Sequence, residues 1–129
     1  MFQLKFVNDG HVPPFEYHVC GGITPKLGMA LAVSGGKLVT ATGGTVPKYI
    51  SMLESDAAKD GEVIPVIRVE EGILFAVPSA GGFSAVQPGD KVLIGADGLT
   101  VTAGTGGAAE VVAFESAEAG GEITVRFRE

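Results

Sequence analysis

The chain has 129 residues, 46% of them apolar, and a formal charge of −6. That length fits one domain with a real core, and the apolar share excludes a chain disordered throughout. The nine Lys and Arg residues are scattered, which excludes the basic stripe that a nucleic-acid or anionic-membrane partner requires. The acidic balance serves solubility or meets a basic partner surface.

In chain order, Phe2, Leu4 and Phe6 alternate with Gln3 and Lys5, the period of a half-buried strand. Asn8-Asp9-Gly10 marks a turn, and Pro13-Pro14 favours extended backbone. Four of the nine aromatic residues (Phe2, Phe6, Phe15, Tyr17) fall in the first 17 positions. Residues 1–27 therefore read as an extended N-terminal arm and lead-in strand. Its large apolar anchors must lie on the chain's own barrel or on a partner.

From residue 28 the pattern is strand, turn, strand. Met29–Val33 and Lys37–Thr42 flank Ser34-Gly35-Gly36. Tyr49–Leu53 is a strand. Glu54–Asp60 is too short for more than a helical turn and stops at Gly61. Val63–Val69 is β-branched, with Pro65 arguing for an edge or a bulge. Ile73–Val77 is a strand. Lys91–Ile94 and Leu99–Thr102 flank Ala96-Asp97-Gly98, and Asp-Gly is a strong hairpin signal. Glu110–Phe114 and Ile123–Phe127 close the chain. Asp90 and Asp97 read as turn formers.

Residues 28–43 (GMALAVSGGKLVTATG) align without a gap on 89–104 (GDKVLIGADGLTVTAG) at an offset of 61. Gly28, Leu38 and Gly43 meet Gly89, Leu99 and Gly104. Glu54-Ser55 meets Glu115-Ser116, and Gly21-Gly22 can be matched to Gly81-Gly82. Such a duplication implies one supersecondary unit burying its apolar face against its twin. Roughly eight or nine short strands at regular spacing give an all-β fold, a small barrel or barrel-like sandwich. The expected organisation is the arm over 1–27 and one barrel domain over 28–129, with half-repeats at about 28–70 and 89–129.

Groups that could do chemistry are few. His11, Glu16, His18 and Cys20 form H-x4-E-x-H-x-C, and residues 16, 18 and 20 of a strand share a face. A zinc site is conceivable there, but four donors within ten residues arise easily by chance, and neither CxxC nor HExxH supports it. A Cys20–His18 nucleophile pair lacks an oxyanion hole and an orienting acid. There is no G-x-S-x-G elbow, and Gly104–Gly107 lacks the Lys-Ser/Thr pair of a phosphate loop. No catalytic residue, metal or cofactor is expected. Arg68, Arg126 and Arg128 sit on strands, where Glu70, Glu122 or Glu129 could pair with them or an acidic partner could meet them. The single Cys20 cannot form an internal disulfide, which fits a reducing compartment. The N-terminus lacks the features of a secretory signal, and no run reaches the ~18 apolar residues of a membrane span. A soluble chain made in the cytoplasm is expected.

The register of residues 28–43, followed by YISMLES (49–55), DGEVIPVIRV (60–69) and VQPGDKVLIGADGLTV (86–101), resembles small β-rich structural proteins of tailed bacteriophages and prophages, in particular capsid decoration or cementing proteins. The resemblance covers about residues 27–129 and rests on turn and strand patterns. It implies a non-enzymatic virion protein on the capsid surface, bound to the major capsid protein and stabilising the mature shell. It also implies a homo-oligomer, with a trimer favoured. An N-terminal arm in such proteins engages the shell by strand addition. That role would fall to Met1–Pro14, with Phe2, Leu4 and Phe6 as anchors and Phe15 and Tyr17 beside them. The alternatives are another head–tail or tail component of a phage, or a small β-barrel module that binds a ligand. A glycan- or peptide-binding module would show exposed aromatics on a barrel face.

Overall fold

The computed structural model describes residues 1–7, 12–81, 83, 85–114 and 118–127. Among them there are eleven strands and no helix. The strands are β1 (Gln3–Val7), β2 (Phe15–Ile23), β3 (Ala30–Ser34), β4 (Lys37–Thr40), β5 (Tyr49–Ser51), β6 (Lys59–Arg68), β7 (Ile73–Pro78), β8 (Lys91–Ile94), β9 (Val101–Thr102), β10 (Ala109–Phe114) and β11 (Glu122–Phe127). The fold is all-β and barrel-like, as expected, with two or three more strands than the turn signals alone delimit.

Strands β2 to β6 form a closed barrel in the order β2-β4-β3-β5-β6. Its ladders are antiparallel except where β2 meets β4 at Cys20 and Leu38, the parallel contact that closes the ring. Alternation along each strand sends Cys20, Leu31, Leu38, Tyr49, Ile64 and Val66 inward as the barrel's own core. The β3–β4 loop is the two residues Gly35 and Gly36, with φ of 59° and 79°. Glycine is needed there because a two-residue loop of the primed type requires positive φ at both positions. Pro65 lies opposite Tyr17 on β2. Its carbonyl accepts from Met52 N–H at 3.0 Å, just past the end of β5. Proline has no N–H to return that bond, so the ladder between β5 and β6 ends there.

The remaining strands form a sheet in the order β1-β7-β11-β10-β8-β9. Without β1, this order repeats the first barrel strand for strand: β7, β8, β9, β10 and β11 take the places of β2, β3, β4, β5 and β6. Even the parallel closure recurs, as a single bridge between Ser79 and Val101. The backbone hydrogen bonds repeat as well. Gly28 N–H donates to Ser51 O at 2.8 Å, and Gly89 N–H to Val111 O at 2.7 Å. Met29 N–H donates to Lys26 O, and Asp90 N–H to Gln87 O, both at 3.0 Å. The repeated unit thus runs over 15–68 and 73–127. It begins earlier than the 28 and 89 of the sequence match, and the first barrel includes β2, which the sequence reading had assigned to the lead-in.

The two units share one core. Ala30, Ala41, Ile50 and Ile67, on the outside of the first barrel, pack with Phe75, Val77, Phe83, Val92, Val111, Ile123 and Phe127 of the second unit. Strand β1 enters this core from the far end of the sequence. It pairs antiparallel with β7, shifting register between Leu4 and Phe6. The Phe2 ring lies 6.5 Å from Phe75 and 5.4 Å from Phe127. The extended arm is therefore an edge strand of the chain's own sheet.

Gly28 and Gly89 are matched positions with φ of 78° and 95°. Alanine at either forces a left-handed backbone that costs about 1–2 kcal/mol. At Gly28 the new Cβ also meets the Met1 Cβ at 2.5 Å, whereas at Gly89 it meets open space. Gly28→Ala is therefore expected to lower stability more than Gly89→Ala in urea unfolding, and equal losses would show that the packing of Met1 contributes nothing.

Candidate functional site

The five residues expected to anchor a partner part company in the fold. Phe2 is 1% exposed and belongs to the shared core. Its N–H donates to Gly28 O at 2.8 Å, tying β1 to the first barrel. As a partner anchor Phe2 is therefore corrected: its ring fills the chain's own core, and the β1 ladder lies on β7. Leu4 is half-buried against the same core. Phe6 is exposed, beyond the register shift, and lines a shallow hollow with Leu74, Val112 and Arg126. Phe15 and Tyr17 are 53% and 64% exposed. They point outward from the first barrel because residues 16, 18 and 20 of β2 point inward or to its mouth.

Phe15 and Tyr17 stand on a continuous apolar face. Their ladder partners are Ile67 and Pro65, and Val19 faces Val63 one step further. Val63 is 57% exposed. At the other end of the face Val12 and Leu27 are exposed. There a groove of about 380 Å³ runs between β1 and the barrel, walled by Leu4, Val12, Phe15, Leu27, Met52 and Ile67. The sequence reading did not single out Val12, Leu27 or Val63. The available signal was the uninterrupted apolar series Phe15, Tyr17, Val19 on the strand positions opposite Glu16, His18 and Cys20.

The inward series ends in a polar network at the barrel mouth. Arg68 donates from Nε and Nη2 to the two carboxylate oxygens of Glu16, both at 2.9 Å. His18 Nε2 lies 3.1 Å from Glu16 Oε1. The His18 ring sits 4.6 Å from that of Tyr49, and the Arg68 guanidinium lies 5.3 Å over the same Tyr49 ring. Arg68, then His18, hold the Glu16 carboxyl below the usual carboxylate range. A bidentate pair of this kind fixes β2 against β6. Arg68 thus pairs with Glu16, not Glu70. Arg126 pairs with Glu110, its cross-strand neighbour, not Glu122. Arg128 and Glu129 lie outside the described residues.

The metal-like series does not assemble. Glu16 and His18 contact each other, while Cys20 is fully buried beside Leu38 in the barrel core. Burial, then the charge of Glu62, pushes the Cys20 thiol up, away from the thiolate a nucleophile or a metal ligand requires. His11 lies outside the described residues. Among those described, no three His, Cys, Asp or Glu side chains gather around a common point. Asp90 and Asp97 do serve turns: they accept backbone N–H groups from Gln87 and Leu99, both at 2.9 Å. No helix among the described residues is long and apolar enough to cross a membrane.

Phe2→Ala should cost about 3–5 kcal/mol of stability, whereas Phe15→Ala should change it by only about 0.5 kcal/mol. Chemical unfolding of both variants checks this, and a mild Phe2→Ala would return the first strand to the role of a free arm. The Glu16 network also sets a pH dependence. Its folded pKa lies below the unfolded value of about 4.3, so its stabilisation is full above that pH and is lost as pH falls through the folded value. The stability gap between the wild type and Glu16→Gln should be flat near neutrality and close in acid. A gap that persists in strong acid would contradict it.

No family model matches the chain, and no curated protein or solved structure gives a match to set beside it.

Proposed function

We propose that this chain is a capsid decoration protein: a non-enzymatic virion subunit of a tailed phage that binds the outer surface of the mature shell and stabilises it. Its partner is the major capsid protein, its place is the capsid surface, and it is made in the host cytoplasm. The observation that carries this reading is the pairing of a two-unit barrel body with a broad apolar face that stays exposed among the described residues. Surfaces of that kind mark assembly contacts. The turn and strand resemblance over about residues 27–129 supports a phage capsid as that assembly. Binding only the mature shell stabilises that state by mass action. Strand addition at Met1–Pro14 would use the outer edge of β1, because its other edge is already paired with β7.

One observation favours a second reading. Phe15 and Tyr17 are exposed on a barrel face, the feature expected of a small barrel that binds a peptide or glycan.

Co-sedimentation of the purified protein with expanded and unexpanded shells from the same genome tests the proposal. The expected outcome is saturable binding to expanded shells at a fixed ratio per capsomer. Absence of binding to either form would shift the reading to a ligand-binding barrel.

A further inference from the structure

We infer that the outer face of β2 and β6 is a self-association surface, and that its occupant is the same face of a second copy related by a two-fold axis. A second copy would occupy the same exposed face that supports the shell-binding reading, and the experiment below separates the two occupants.

Area and charge together point to that occupant. Val12, Phe15, Tyr17, Leu27 and Val63 are five of the seven large apolar side chains exposed among the described residues. They expose on the order of 400 Å² of apolar surface. A standard interface buries about 800 Å² per partner, and homodimer interfaces are about 65% apolar. The face, with half-buried Val19 and Pro65 beside it, thus supplies most of the apolar core that one side of a stable dimer needs. Because a two-fold sets one patch against itself, one such face suffices. Phe15 and the outward cross-strand pairs Tyr17–Pro65 and Val19–Val63 suit face-to-face packing of two sheets.

Charge selects a copy over a basic partner. The chain carries −6, so two copies repel over most of their surface. Acids on the strand and loop bordering this face have ion-pair partners: Asp60 with Lys37 at 3.4 Å, Glu62 with Lys59 at 3.6 Å and Asp56 with Lys26 at 3.8 Å. Two acidic chains can therefore meet here without opposing like charges. Among the described residues, a basic partner would find Asp56, Asp60 and Glu62 already paired.

Sedimentation of the purified full-length protein over a wide concentration range tests the inference. The wild type is expected to reach twice the chain mass as concentration rises. Added salt should tighten the association, because it screens the repulsion between the two bodies. Tyr17→Glu and Val63→Glu should each weaken the dimer by roughly 30-fold or more. Val33→Glu, an exposed apolar position off this face, should leave it unchanged. Thermal unfolding of each variant separates lost association from lost folding. A wild type that stays monomeric, or a dimer that survives both Tyr17→Glu and Val63→Glu in folded protein, overturns the inference, as does weakening by salt. A monomer whose shell binding is lost in Tyr17→Glu would assign the face to the shell protein instead, and the decoration reading would stand alone.

Discussion

The second unit cannot complete itself, and the rest of the structure depends on how that deficit is met. Its closing strand, β9, has only two residues and touches the end of β7 through one bridge at Ser79 and Val101. The first barrel closes with a four-residue β4. The edge of β7 would otherwise carry backbone donors and acceptors with nothing to bond. Strand β1 occupies that edge and brings Phe2 into the ring cluster with Phe75 and Phe127. Through the Phe2–Gly28 hydrogen bond the same few residues also fasten the second unit to the first.

The two units show what a repeated topology preserves and what it releases. The connectivity, the parallel closure and the hydrogen bonds around Gly28 and Gly89 persist. The interiors diverge. The first barrel encloses a small core of its own around Cys20 and Leu38. The second unit merges its interior with the outer face of the first, so Ala30, Ile50 and Ile67 count as exterior to one unit and core to the whole. One sheet face of the first barrel is consumed by the twin, and the face carrying Tyr17 and Val63 is left over.

Much of the fold was legible because turns in small β proteins are written in residues with special backbone freedom. Gly35-Gly36 and Asp97-Gly98 mark their hairpins, and the gap-free match of 28–43 with 89–104 at an offset of 61 revealed the repeat. Pro65 announced the end of a ladder. The fate of the first strand was not legible, since alternating Phe2, Leu4 and Phe6 read the same whether the pairing strand is in the chain or in a partner. The ion pairs were hidden for a similar reason. Arg68 and Glu16 are 52 positions apart, and only the barrel closure brings them into register. The candidate face was half visible: Phe15 and Tyr17 stood out as aromatics, but Val63 joins them only through a ladder from the other end of the barrel.

The pairing of β1 with β7 also orders events in time. Gln3 meets Ala76, a residue more than half the chain away, and the Phe2 ring waits for Phe127, near the other end. Contacts so distant in sequence form late, after their loop-closure entropy has been offset by local structure. The first barrel, whose strands all lie within residues 15–68, can assemble while the first segment of the chain is still unpaired. Residues 2–6 are thus among the last to reach their native places, and until then Phe2, Leu4 and Phe6 are an open strand, available to any sheet edge within reach.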